Sequence, residues 1–194
     1  YGCSYGGYNE AYDPATNTWT TKAAHPQATS NTAGAVLNGK IYIIGGNTGC
    51  PGGTIPQAYQ VNMYDPALNT WTARANVTYA RQTGAAAAVV GGTLYVCGGG
   101  DGVVLLASME AYDPVSNTWT TKAPMPGGGR YGFSATVVNG IIYMISGYTA
   151  GGATPLVEAY NPATNTWSTK VSVPVLHHWS GASAVGATIF VVGG

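Results

Sequence analysis

Charge is what this chain has least of. Lys, Arg, Asp and Glu together make 7 % of its 194 residues, and they cancel to a formal net charge of zero. A basic stripe that would neutralise a phosphate backbone or hold an anionic lipid surface is therefore missing, and the sequence points away from nucleic acid and from membranes as partners. No apolar run is long enough to cross a bilayer, so membrane insertion is not expected. No segment shows a helical period. Cysteine is scarce, at three residues (Cys3, Cys50 and Cys97), and no pair has zinc-ligand spacing. A serine nucleophile elbow is absent. The Gly-Gly pairs precede no helix, which removes a helix-terminus phosphate site. The sequence opens on Tyr1 with no initiator methionine or signal peptide, as expected of a processed mature chain or of a segment of a longer one.

Glycine is abundant (29 residues), and threonine and asparagine are plentiful, a composition suited to many short strands joined by tight turns. One stretch, Glu110-Ala-Tyr-Asp-Pro-Val-Ser-Asn-Thr-Trp119, recurs through the chain. Its other copies are 10–19, 62–71 and 158–167, and the four tryptophans Trp19, Trp71, Trp119 and Trp167 lie 52, 48 and 48 residues apart. A period near 50 is the mark of a repeat architecture. Within a copy, a small-residue strand (131–138) meets the hairpin turn Asn139-Gly140. The continuous apolar strand 141–145 follows and ends in Ser146-Gly147. A variable loop, a strand through Tyr160, an Asn-Pro turn and the strand of Trp167 complete it. Asn38-Gly39 and Gly91-Gly92 are the matching hairpins, and 41–44, 94–97 and 189–192 the matching apolar strands. Sheets of this kind are buried only by stacking against one another around an axis.

The run 39–46 (Gly-Lys-Ile-Tyr-Ile-Ile-Gly-Gly), followed by Tyr-Asp-Pro and Asn-Thr-Trp, resembles the kelch repeat, four times over essentially the whole chain. Departures are small: Ser146 for the first glycine, Phe190 for the tyrosine and Asn161 for the aspartate. The resemblance implies an all-β kelch-type β-propeller of four-stranded antiparallel blades with the small-residue strand innermost. We read residues 1–194 as a single domain. It starts with a half-blade of two outer strands (1–22), continues with blades at about 29–75, 82–123 and 130–171, and ends with a half-blade of two inner strands (178–194). Closure by pairing the two half-blades gives a four-bladed ring. Membership of a larger ring, or joining of two chains, remains open beside it.

The repeated aromatics (Tyr12, Tyr64, Tyr112, Tyr160 and the four tryptophans) read as inter-blade packing, and Glu10, Glu110 and Glu158 as structural partners. Non-repeating residues carry more functional information. The loop before each inner strand and the loop after each Gly-Gly share one face. Thirteen residues before the tyrosine of each apolar strand lie Thr29, Gln82, Arg130 and His177, ringing the mouth of the central channel. Arg81, Tyr131, His178 and Trp179 adjoin them. The expected ligand-binding set is thus Arg81, Gln82, Arg130, Tyr131, His177, His178 and Trp179, with the arginines donating to carboxylate or hydroxyl oxygens. Kelch resemblance implies that this face binds partner peptides or small ligands. His177-His178 does not read as a metal site, since neighbours on a strand point apart.

Three further expectations complete the reading. Cys3 and Cys50 share a face and are candidates for a disulfide, and Asn76-Val-Thr78 is an N-glycosylation pattern. Low charge and Thr/Asn/Gly richness suggest an extracellular or cell-surface protein. The function that fits is a non-catalytic binding module for a protein or glycan, without a cofactor. Its rivals are a self-associating structural subunit of an extracellular assembly and a carbohydrate-active enzyme of the galactose-oxidase or mutarotase type.

Overall fold

The structure, a computed structural model, describes residues 6–27, 29–47 and 58–194. Eighteen strands and no α-helix are present among the described residues, so no helix is long and apolar enough to cross a membrane.

Three antiparallel sheets of four strands form the body. The first contains β3 (Ala33–Leu37), β4 (Lys40–Ile44), β5 (Val61–Asp65) and β6 (Thr70–Arg74) in that spatial order. The second is β7 (Ala86–Val90), β8 (Thr93–Cys97), β9 (Met109–Asp113) and β10 (Thr118–Lys122). The third is β11 (Ser134–Val138), β12 (Ile141–Ile145), β15 (Val157–Asn161) and β16 (Thr166–Lys170). A small hairpin, β13 (Tyr148–Thr149) with β14 (Gly152–Ala153), stands in the loop between β12 and β15. The innermost strands β3, β7 and β11 line up side by side, and β11 adjoins β17 (Gly181–Val185).

Local sequence explains each blade. The first hairpin turns on Asn38 (φ 51°) and Gly39 (φ 72°), and Asn139 (φ 49°) with Gly140 (φ 76°) does the same in the third blade. Both central residues in the left-handed region make the turn that matches strand twist. Alanines at 86–88 keep the second inner strand slim enough for the crowded axis. Large apolar side chains fill the spaces between blades. Ala33, Leu37, Tyr42, Ile44 and Met63 of the first blade pack against Leu94, Val96 and Tyr112 of the second. Ala86, Tyr95, Cys97 and Met109 of the second meet Phe133, Ile142, Met144 and Tyr160 of the third.

A repeated polar clamp ties the outer edges together. Tyr112 Oη donates to Asn117 Oδ1 (2.7 Å), and that same oxygen accepts the Ala75 amide of the preceding connection (3.0 Å). Trp119 Nε1 then donates to the Ala75 carbonyl (2.8 Å). Tyr64, Asn69 and Trp71 hold Ala23 in the same way, and Tyr160, Asn165 and Trp167 hold Ala123. Each clamping asparagine is left-handed, at φ 53°, 55° and 55°. Asparagine is among the few side chains that accept this conformation at small cost. The invariant Tyr, Asn and Trp are thus one device that fixes the angle between neighbouring blades.

The half-blades are β1 (Glu10–Asp13) with β2 (Thr18–Thr21), and β17 with β18 (Thr188–Val192). Each is a separate two-stranded sheet. The expected closure, with the outer strands β1 and β2 extending the inner strands β17 and β18, is not made in this structure. The first half-blade is held to the first blade by the clamp on Ala23, and β17 is held to β11, so the two follow opposite ends of the array.

Candidate functional site

The loops entering β7, β11 and β17 meet where the innermost strands begin. Backbone hydrogen bonds link them across the blades. Gly132 N donates to Gly84 O (2.9 Å), and Trp179 N donates to Gly132 O (2.7 Å). Asn31, Gly84, Gly132 and Trp179 all adopt left-handed backbones, at φ 58°, 55°, 61° and 59°. Asparagine and glycine suit that geometry, whereas a bulky tryptophan does not. The indole nevertheless remains 53 % exposed. It lies over Gly132 and reaches Gly84. A Cβ built at either glycine would come within 3.2 Å and 3.0 Å of the Trp179 ring respectively. The two glycines are therefore the floor on which the indole rests.

Further rings continue the strip. Tyr131 meets Trp179 edge-on with centroids 6.0 Å apart, and Tyr148 at 5.6 Å. His178 stands 6.0 Å from Tyr148. Tyr148 is held opposite Tyr131 by a pair of backbone bonds, 3.1 and 2.9 Å. Sequence reasoning did not single out Tyr148. Its signal is the 17-residue spacing from Tyr131, which repeats the Ser30–Asn47 pairing of the first blade.

The expected arginines do not belong to this strip. Arg81 and Arg130 are both 0 % exposed. Arg81 Nη2 donates to Glu110 Oε2 (3.0 Å), and its guanidinium also bonds the carbonyls of Gly98 and Ser108. Arg130 Nη2 donates to Glu158 Oε2 (2.7 Å) and lies over the Phe133 ring at 5.5 Å. The other carboxylate oxygens accept the amides of Thr78 (2.7 Å) and Gly127 (2.7 Å). Burial pulls the Arg130 guanidinium below its ordinary range, with Glu158 opposing the shift. Both arginines anchor the entry loops to the blades and are fully buried, each with only its Nε–H unpartnered, so neither is presented at the surface beside Trp179 as the sequence expectation had it. The reading of Glu110 and Glu158 as structural partners holds.

The count of thirteen residues also needs correction in the second blade. Gly46, Gly99 and Gly147 donate to the carbonyls of Arg81, Arg130 and His177. Arg81, not Gln82, is therefore the equivalent of Arg130 and His177, because the second entry loop carries one extra residue. Gln82 is half-buried, donates its amide to Gly100 (2.7 Å) and rests its side chain near Gly102. His177 Nδ1 is bonded to the Gly193 carbonyl (2.6 Å). Of the expected set, Tyr131, His178 and Trp179 come together.

Other polar residues among those described have local roles. Asp101 accepts the amides of Val103 (2.8 Å) and Val104 (2.7 Å), which hold its carboxyl below the usual range. Asn76 is exposed in the β6–β7 connection. Cys3 and Cys50, the candidate disulfide, lie outside the described residues.

Among the described residues no three of His, Cys, Asp or Glu converge as a metal-binding set. Cys97, the cysteine a copper-radical site would need, is buried among Met109, Ala86 and Phe133, and burial pushes its thiol up to about 12. Thiolate is the reactive form. The Cys97 peptide is therefore expected to stay unlabelled by iodoacetamide at pH 8 in the folded protein and to label fully in denaturant. Labelling of the native protein at the rate of a free thiol, read by peptide mapping, would contradict that burial.

Comparison with known proteins agrees with this architecture. Residues 5–147 match the family model described as the KLHDC2/KLHL20/DRC7 Kelch-repeats domain, and residues 129–174 match the Kelch motif. Kelch-like protein terF of Aspergillus terreus is 35 % identical over 91 residues, which are 46 % of this chain and 20 % of that protein. Kelch-like protein 25 of Xenopus tropicalis is 38 % identical over 90 residues, 46 % of this chain and 14 % of that protein. The matched region is thus a fifth or less of these relatives. The solved structure of YjhT superposes with a TM-score of 0.81 at 18 % identity, over 95 % of this chain and 65 % of that one, and shares the fold. With the repeated Tyr-Asp-Pro and Asn-Thr-Trp units, the blades and the matched family model in agreement, this chain belongs to the kelch-repeat family.

Proposed function

We propose that this propeller is a protein-interaction module that receives its partner on the loop face, at the strip formed by Trp179, Tyr131, Tyr148 and His178. One observation carries the reading. Trp179 holds a left-handed backbone at φ 59° and still leaves half of its indole in water. Strain of this kind clusters at sites where geometry serves a ligand. Exposed rings that pack on each other and on a glycine floor present rigid apolar area at little entropic cost, as interface anchors do. Similarity to Kelch-like proteins supports a protein as the partner.

A random-peptide display selection against the wild-type protein tests this. Selected peptides are expected to bind at least about tenfold more weakly to Trp179→Gly, which removes the ring and relaxes the backbone. Val115→Ala, on the exposed turn of the opposite face, is expected to bind them as wild type does. Peptides that bind the Trp179→Gly protein equally well would place recognition elsewhere.

A further inference from the structure

We infer that the first blade carries a cleft for a neutral sugar ring, separate from the aromatic strip, at the place where the other two blades hold a buried ion pair.

Departure from the repeat is the first argument. In the second blade Arg81 bonds the Ser108 carbonyl and Glu110, and Glu110 also accepts the Thr78 amide. The first blade changes all three participants. Thr29, next to the bridged Ser30 as Arg130 is next to the bridged Tyr131, stands in the arginine position. Asn62, paired with Ile43 as Glu110 is with Val96, replaces the acid. Pro26, three residues past the clamped Ala23 as Thr78 is past Ala75, has no amide to offer.

The space left behind is the second. A cleft of about 370 Å³ opens here, lined by Gln27, Gln60, Asn62, Asn76 and Trp71, with Pro26 in one wall. Its volume is in the range of small-molecule sites, about 300–1,000 Å³. Asn62 is only 7 % exposed, and among the described residues its carboxamide has no hydrogen-bond partner. A buried amide left unpaired is costly, so a ligand that both donates to it and accepts from it stabilises the site.

The lining selects the occupant. Among the described residues no charged side chain lines the cleft. A guanidinium or ammonium group would be buried without the carboxylate that Glu110 supplies to Arg81. A carboxylate or phosphate would find no cation, and an apolar group would leave Asn62 unsatisfied. Carboxamides donate and accept, as sugar hydroxyls do. The apolar C–H face of a pyranose suits the Trp71 indole. A neutral pyranose meets all of these conditions. Asn76 heads an N-glycosylation pattern, so the ring has two sources, a saccharide in solution or a glycan on Asn76 itself.

Saturation-transfer NMR on bacterially expressed, unglycosylated protein tests the inference. The probes are methyl α-glucopyranoside, methyl β-galactopyranoside and N-acetylglucosamine, with methylguanidinium as the cationic control. At least one sugar is expected to bind saturably, with methylguanidinium at least about tenfold weaker. Asn62→Leu should weaken that sugar at least about tenfold. Thr29→Arg combined with Asn62→Glu rebuilds the ion pair of the other blades inside the cleft and should abolish binding, with the fold retained in thermal melts. Val115→Ala, on an exposed turn, should bind as wild type does. No saturable binding by any of the three sugars, tighter binding of methylguanidinium, or an unchanged Kd in both cleft variants overturns the inference. Protein from a glycosylating host separates the two sources. Loss of free-sugar binding with a glycan found on Asn76 by mass spectrometry identifies the attached sugar as the occupant. Retained binding, or an unmodified Asn76, identifies a saccharide from solution.

Discussion

Replacing Glu110 with alanine is expected to lower folding stability by about 3–5 kcal/mol, the cost of stranding a buried charge. Glu110 and Arg81 are both fully buried, with Nη2 and Oε2 3.0 Å apart. Alanine leaves the Arg81 guanidinium without its counter-charge in an apolar blade, and it frees the Thr78 amide that Glu110 Oε1 now accepts. Urea unfolding followed by far-ultraviolet circular dichroism measures the effect. Glu158→Ala should behave alike, since Arg130 and Gly127 depend on it in the same two ways. A double replacement, Arg81→Met with Glu110→Leu, should recover the part of the loss that comes from the stranded charge, while the Thr78 amide and the Gly98 and Ser108 carbonyls stay without their partners. A single Glu110→Ala variant within about 0.5 kcal/mol of wild type would mean that the entry loop is anchored by its backbone alone.

Tyr112→Ala is the second large effect, expected at about 3–5 kcal/mol from lost burial and the cavity left behind. Tyr112 is fully buried where the first two blades meet, 5.6 Å from Tyr42 and 4.9 Å from Trp119 by ring centroids. Its hydroxyl also positions the Asn117 oxygen that captures Ala75. Tyr112→Phe keeps the ring and loses one hydrogen bond, at about 1 kcal/mol. The ratio of the two losses, read from the same denaturant curves, separates packing from the clamp. Comparable losses would make the hydrogen bond, and not the ring, the main contribution.

Blade architecture was legible because a period of about 50 residues repeats every local signal at once. Asn-Gly hairpins, apolar runs and Gly-Gly ends each predict a strand boundary, and agreement among copies removes ambiguity. Closure was not legible: the two half-blades complement each other in strand count, which suggested that they pair, whereas each stands as a separate two-stranded sheet. Arginine roles were misread for a related reason. A long cation in a loop looks available, while its burial depends on a carboxylate 28 or 29 residues away in another strand. The sequence did hold the clue. The two blades with an entry-loop arginine carry Glu110 and Glu158, whereas the first blade has Asn62 at that position. Tyr131, His178 and Trp179 were found by asking which residues the scaffold does not require. Tyr148 escaped that question because it follows the apolar strand and not the entry loop, and only the cross-loop pairing brings it to Tyr131.

The most direct test of recognition at the channel mouth is a nitrogen-15 spectrum of the indole N–H groups, recorded with and without a peptide obtained by display selection. Trp71, Trp119 and Trp167 donate to the carbonyls of Ala23, Ala75 and Ala123 inside the blade clamps. Trp179 is exposed at the mouth. The account predicts that the Trp179 resonance shifts or broadens on titration while the three clamp resonances stay in place. A bound peptide that leaves Trp179 unmoved, or that shifts the clamp resonances instead, would contradict it.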